Sequence, residues 1–132
     1  MADNVIVSRA SRANTVDLVL EHYTSAALTA ATEKKEWVIP FYCRIIDVII
    51  DSETANSGEA DDIADVNING TTIYTTQANR PTLTLSNTGL WAEAAEPEVT
   101  ALSPGDIISY DIDQIATTGS ARVKVTILLG MR

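Results

Sequence analysis

The chain has 132 residues, a single cysteine and a net charge of −9 at pH 7. That is the length of one domain, enough to bury about two-thirds of the unfolded chain's surface without a covalent staple, and the lone Cys43 excludes an intrachain disulfide and a cysteine–histidine metal cluster. No apolar stretch reaches the ~18 residues of a membrane span, and Met1-Ala2-Asp3-Asn4 lacks the basic-then-apolar layout of a secretory signal, so a soluble product made in a cytoplasm is expected.

Charge is unevenly spread. Up to Arg44, the acids Asp3, Asp17, Glu21, Glu33 and Glu36 balance the bases Arg9, Arg12, Lys34, Lys35 and Arg44; from Ile45 onward only Arg80, Arg122, Lys124 and Arg132 oppose thirteen acids. Such a surface repels phosphate backbones, which argues against nucleic acid as a partner. It suits an outward-facing acidic domain attached through a charge-balanced segment.

In chain order, residues 1–36 are rich in Ala, Ser and Thr and hold only two apolar patches. Val5-Ile6-Val7 reads as a short strand. Val16 to Leu20, continuing to Leu28, fits a helix by the spacing of Val16, Leu20, Tyr23 and Ala27, or an extended segment by its β-branched opening, and the extended reading is preferred. So little apolar area does not offset the entropy of ordering unless the segment packs on something else. Residues 1–36 are therefore expected to form an extended N-terminal arm across neighbouring subunits, with Val5, Ile6, Val7, Arg9 and Arg12 as contact residues. The plainer alternative is a first strand or two packed on the chain's own sandwich.

From Trp37 the pattern becomes strands. Trp37 to Ile50 is one strand, or two joined at a kink near Pro40, with Cys43 a small buried hydrophobe. Asp51 to Ala60 is a polar loop. Ala64, Val66 and Ile68 then run into Asn69-Gly70, the dipeptide of a tight two-residue turn, and Thr71-Thr72-Ile73 lead back out. Asn79-Arg80-Pro81 turns a corner into Thr82 to Leu85, since Pro81 biases Arg80 to extended backbone. Ser86 to Pro97 is a second loop, whose Trp91 either closes one end of the core or is an exposed contact. Pro104-Gly105 signals a turn with Gly105 at its third position. Ile108, Tyr110 and Ile112 alternate with Ser109, Asp111 and Asp113, which puts the acids outward, and Val123, Val125, Ile127 and Leu129 form the last strand. Short strands at roughly 10-residue intervals predict an all-β, antiparallel, jelly-roll-like sandwich over residues 37–132.

Chemistry is sparse. His22 stands alone in the arm, with no nucleophile elbow to pair with it. A carboxylate pair between Asp61, Asp62 or Asp65 and Asp111 or Asp113 has the composition of a glycosidase site, and Asp51, Glu53, Asp61 and Asp62 offer hard ligands for calcium, but their spacing matches no calcium loop and acids on outward strand faces are usually just solvated. Neither an enzyme nor a bound metal or cofactor is expected. Thr71, Thr72, Thr75, Thr76, Gln77 and Asn79 could bind sugar hydroxyls or a neighbouring subunit, although threonines also simply favour strands. Arg80, isolated among acids, is expected to make an internal ion pair or to bind loop carbonyls.

The run Asp65-Val66, Asn69-Gly70-Thr71-Thr72-Ile73-Tyr74-Thr75-Thr76-Gln77, Asn79-Arg80-Pro81 resembles a pattern recurrent in virion proteins of tailed bacteriophages. The likeness continues through Leu102 to Ile108 and through the closing strand Ala121 to Leu129, and covers about residues 45 to 132. Such domains sit in β-sandwich head-decoration (cement) proteins and in tail or fibre proteins. The resemblance implies a structural virion protein with no catalytic residue to carry over. Because only an arm precedes the domain here, it implies most directly a decoration protein on the exterior of the head, homotrimeric and bound to the major capsid protein. A tail or fibre adhesion module binding a host glycan is the alternative.

Overall fold

The computed structural model describes residues 15–86, the backbone of 91–93, and residues 97–132. Among the described residues ten strands follow in order: β1 Leu18–Thr24, β2 Ala31–Val38, β3 Cys43–Thr54, β4 Asp62–Ile68, β5 Thr71–Thr72, β6 Thr82–Leu83, β7 Trp91–Glu93, β8 Ala101–Leu102, β9 Ile107–Gln114 and β10 Ala121–Met131. They form two antiparallel sheets. The first has the order β1-β10-β3-β7, with β8 also on β3; the second has the order β2-β9-β4-β5, with β6 also on β4. Because β7 and β8 share one edge of β3, and β5 and β6 share one edge of β4, each sheet is four strands wide. With β5 and β6 counted as one edge and β7 and β8 as another, the strand order of the two sheets is that of a jelly roll.

Period-2 alternation builds the core between the sheets. Val123, Val125, Ile127 and Leu129 of β10 and Ile108, Tyr110 and Ile112 of β9 are buried. On β3 both Ile45 and Val48 point inward, which strict alternation forbids. A register shift between Leu128 and Leu129 supplies the extra residue: Leu128 pairs with Asp47, Leu129 with Ile45, and Ile46 is left as a bulge.

Local turn chemistry sets the register. Asn69 and Gly70 have φ of 50° and 83°, the two positive angles of a type I′ hairpin turn, and Gly105 has φ of 91°, as a type II turn requires at its third position. The two turns are laced together, Asn69 Nδ2 donating to Asp106 Oδ1 at 3.0 Å and the Ile107 amide to Asn69 Oδ1 at 2.9 Å. The Ser103 amide and the Asn69 side chain hold the Asp106 carboxyl below its ordinary range. At the other corner, Arg80 does both things expected of it. Its Nε donates to the Gln77 carbonyl at 2.9 Å and its Nη1 pairs with Asp113 at 2.7 Å. Asn79 Nδ2 donates to Glu98 at 3.2 Å, and the Ala64 amide to the carbonyl of buried Pro81 at 3.0 Å.

The arm is shorter than expected. Leu18–Thr24 pairs in continuous register with β10, and Ala31–Val38 pairs with β9, so the second half of the segment expected as an arm forms one edge strand of each sheet. An edge strand needs only one half-covered apolar face. Leu18, Leu20 and His22 suffice for β1, with partners contributed by a strand more than a hundred residues away. The sandwich therefore begins near Thr15 rather than Trp37. Val5, Ile6, Val7, Arg9 and Arg12 lie outside the described residues. Trp37 lies at the end of β2, residues 39–42 make the kink, and the strand expected over Thr82 to Leu85 is Thr82–Leu83 alone.

Candidate functional site

The two ends of the sandwich differ. At one end lie the loops 25–30, 55–61 and 115–120. Here buried Asp62 accepts the amides of Ala116 and Ser120 at 2.7 and 2.8 Å. Asn56 donates to the Leu83 carbonyl at 3.1 Å and accepts the Ser86 amide at 2.8 Å. The Leu28 amide reaches the Ser120 carbonyl at 2.8 Å, and Ser57 and Thr118 form an isolated bridge. Backbone groups that would otherwise be stranded there are satisfied by the protein itself.

At the opposite end stand Thr15, the last residues of β10, and the Asn69-Gly70 and Pro104-Gly105 turns. Of eight large hydrophobics exposed among the described residues, five are found here: Val16, Val38, Tyr42, Ile107 and Met131. Val38 (69% exposed) and Ile107 are register partners on the outward face of the second sheet. Met131 (56% exposed) pairs with Cys43, next to Tyr42 (59% exposed), whose ring lies 5.5 Å from the Arg132 guanidinium. Single exposed hydrophobics are ordinary on a protein surface; here five of the eight lie at one end of the sandwich.

The outward face of the second sheet is polar and acidic. Pairing of β4 with β9 sets Asp65 opposite Asp111 and Asn67 opposite Ser109. Asp65, Asp111 and Asp113 bring carboxylate oxygens within 4.8 Å of one another, a donor set that could meet a divalent cation. Each is already engaged by the protein. Asp65 Oδ1 accepts Thr72 Oγ1 at 2.6 Å and the Val66 amide at 2.9 Å; Asp111 accepts Asn67 Nδ2 at 2.9 Å and the Glu33 amide at 2.7 Å; Asp113 holds Arg80. Burial, and to a lesser degree the Asp113 charge, pushes the Asp65 carboxyl up despite those two hydrogen bonds. The arrangement is a hydrogen-bonded ladder across β5, β4, β9 and β2 with an arginine at one end.

A third cluster closes the seam between the two edge strands. His22 Nδ1 and the Tyr110 hydroxyl are 2.5 Å apart, and the Trp37 ring stacks on Tyr110 with centroids 6.3 Å apart. Burial, with help from Lys35 and Lys34, lowers the His22 pKa, so the imidazole is neutral at pH 7. Burial raises the Tyr110 phenol, partly offset by a hydrogen bond with the Thr24 side chain. His22 thus bonds β1 of one sheet to β9 of the other, a role visible only once both strands are placed.

Among the acids weighed from the sequence, Asp65 meets Asp111 and Asp113, whereas the calcium candidates are dispersed. Asp62 pins one loop, Asp61 accepts the Leu85 amide at 2.8 Å, Asp51 lies opposite Lys124 and Trp91, and Glu53 lies 3.9 Å from Arg122. Trp91 is on β7, its indole outside the described side chains. Asn69 and Gly70 lie between β4 and β5, Asn79, Arg80 and Pro81 immediately before β6, and Gly105 between β8 and β9. Neither a scan against protein-family models nor a search of curated proteins returns a match.

Proposed function

We propose that this chain is a structural virion protein, a cement protein on the exterior of a tailed-phage head, whose body docks on the major capsid protein through the end bearing Val38, Tyr42, Ile107 and Met131. The gathering of exposed apolar side chains at that end carries the reading. The described chain begins at this same end, at Thr15. The motif likeness to phage virion proteins and the jelly-roll order, an architecture used by viral capsid and lectin domains, support it. The acidic ladder then faces solvent.

The mechanism is clamping. Each copy spans a joint between capsid subunits, and many modest contacts sum around the shell against internal pressure. Homotrimeric association belongs to the same proposal, because three linked copies hold a joint by avidity. Titration of the purified chain onto expanded heads of its phage tests it. Binding is expected to saturate at a fixed copy number, with Val38→Lys/Ile107→Lys failing to bind although folded. Absence of binding to heads, together with a specific hit on a glycan array, would overturn it in favour of the adhesion module.

A further inference from the structure

The seam between the edge strands β1 and β2 is thinly closed. Along β1 burial alternates: Leu18, Leu20, His22 and Thr24 face inward, and Val19, Glu21 and Tyr23 face out. Leu20 is the last of these in the apolar core. Past it the inner face offers only His22 and Thr24, and both reach the same phenol, Tyr110 bonding to His22 Nδ1 at 2.5 Å and to the Thr24 side chain. One hydroxyl on β9 therefore ties the end of β1 to the second sheet.

The charge nearest that tie is positive. Lys35 is the register partner of Tyr110, so it projects from the same inner face of the second sheet, across the seam from His22, and Lys34 precedes it. The acids close in sequence or register are turned away. Glu21 lies on the outer face of β1, Glu36 pairs with Ser109 on the outer face of the second sheet, and Asp111 on that face accepts Asn67 and the amide of exposed Glu33. Lys124, opposite Tyr23, also faces outward, Arg122 lies by Glu53, and residues 25–30 carry no charge. Among the described residues the charges that act most strongly on the imidazole are Lys35 and Lys34, and both oppose its protonation.

We propose that the His22–Tyr110 pair is an acid-released latch: a proton taken up at His22 frees residues 22–24 from β9, and the end of β1 lifts from the body. With Thr24 donating to the phenol oxygen, the phenol proton is assigned to Nδ1 of the neutral ring. Once Nδ1 carries its own hydrogen two donors meet, and the new charge sits half-buried beside two lysines. In the lifted form the imidazolium is solvated and clear of both. Burial and the lysines lower the His22 pKa from its ordinary 6.5, so the closed form holds the proton less tightly than the lifted one. Closure is therefore favoured above that value and loses ground as pH falls below it, by at most about tenfold per pH unit for one proton. The latch needs no capsid and stands whether or not the chain binds one.

NMR on the full chain tests it, since the only histidine gives an unambiguous imidazole signal. The titration midpoint is expected below that of a free histidine. Protection of the β10-bonded amides among residues 22–24, corrected for the intrinsic pH dependence of exchange, is expected to fall several-fold between about pH 7.5 and about pH 5, while that of Val66 and Asn67 on β4 holds. His22→Gln should keep its protection flat over the same range, and Lys35→Gln should raise the midpoint of the imidazole. The proposal is overturned if His22→Gln loses protection on acidification as the natural chain does, if β4 loses it in parallel, or if Lys35→Gln leaves the midpoint unchanged. It is overturned equally if the imidazole titrates while residues 22–24 stay protected, which would reduce the latch to a swinging side chain. Should His22→Gln fail to fold, the natural chain's profile and Lys35→Gln decide alone.

Discussion

The two ends of this sandwich are built on opposite terms. At the loop end, Asp62 and Asn56 spend their polar atoms on backbone groups of neighbouring loops, and glycines are present because nothing larger fits: a Cβ on Gly58 would stand 2.2 Å from Thr117 Cβ, and one on Gly119 2.5 Å from the Leu28 carbonyl. At the end where the chain leaves Thr15, the turn glycines Gly70 and Gly105 have open space around them and serve only their positive φ, Gly130 alone is close-packed, with a Cβ there 2.6 Å from the Thr15 carbonyl, and Val38, Tyr42 and Met131 remain in water. One end is internally complete. The other carries apolar area that the described residues leave exposed, and the proposed docking surface is placed there on that ground.

Substitutions at the two ends should separate stability from binding. The largest effect is expected for Asp62→Ala, which strands the buried amides of Ala116 and Ser120; a loss of about 2–5 kcal/mol should show in urea unfolding. Gly58→Ala combines a positive φ with overlap against Thr117 and should cost about 2–4 kcal/mol. Gly70→Ala meets no neighbour and should cost only the left-handed backbone penalty, about 1–2 kcal/mol. Equal losses for the two glycines would erase the contrast between a packed end and an open one.

The acidic face gives a smaller effect of opposite sign. The folded-state pKa of Asp65 is raised, so the folded chain holds that proton more tightly than the unfolded chain, and stability falls as pH rises from the ordinary carboxylate range through the raised value. Asp65→Asn keeps an oxygen for Thr72 and Val66 while removing the charge beside Asp113. It should therefore stabilise the protein at pH 7 by about 0.2–1 kcal/mol, the scale of a like-charge pair in a sheet, and the gain should vanish on acidification below the ordinary carboxylate pKa. Thermal melts of both proteins from pH 7 down to pH 3 check this. Smallest in stability, within about 0.5 kcal/mol, should be Val38→Lys/Ile107→Lys, because both side chains are exposed already.

What could be read from the sequence was what is local. Asn69-Gly70, Pro104-Gly105, the alternation along β9 and β10, and the engagement of Arg80 each depend on residues whose chemistry specifies their own neighbourhood. The first two strands were legible as parts of the body only as the alternative to an arm, because Leu18–Thr24 and Ala31–Val38 are sparse in apolar residues and owe their order to β10 and β9, far along the chain. The acids show the same limit. Several carboxylate pairs were conceivable from composition, and only the register of β4 against β9 selects Asp65 with Asp111. The His22–Tyr110 bond carried no local signal at all, since it joins residues 88 positions apart across two sheets.

Density for heads saturated with this protein tests the docking claim most directly. A jelly roll seated on the outer shell is expected, with Val38, Tyr42 and Met131 against the capsid subunits and the Asp65–Asp111 face toward solvent. A body resting on its acidic face or on the Asp62 end, or heads that carry none of it, would contradict the account.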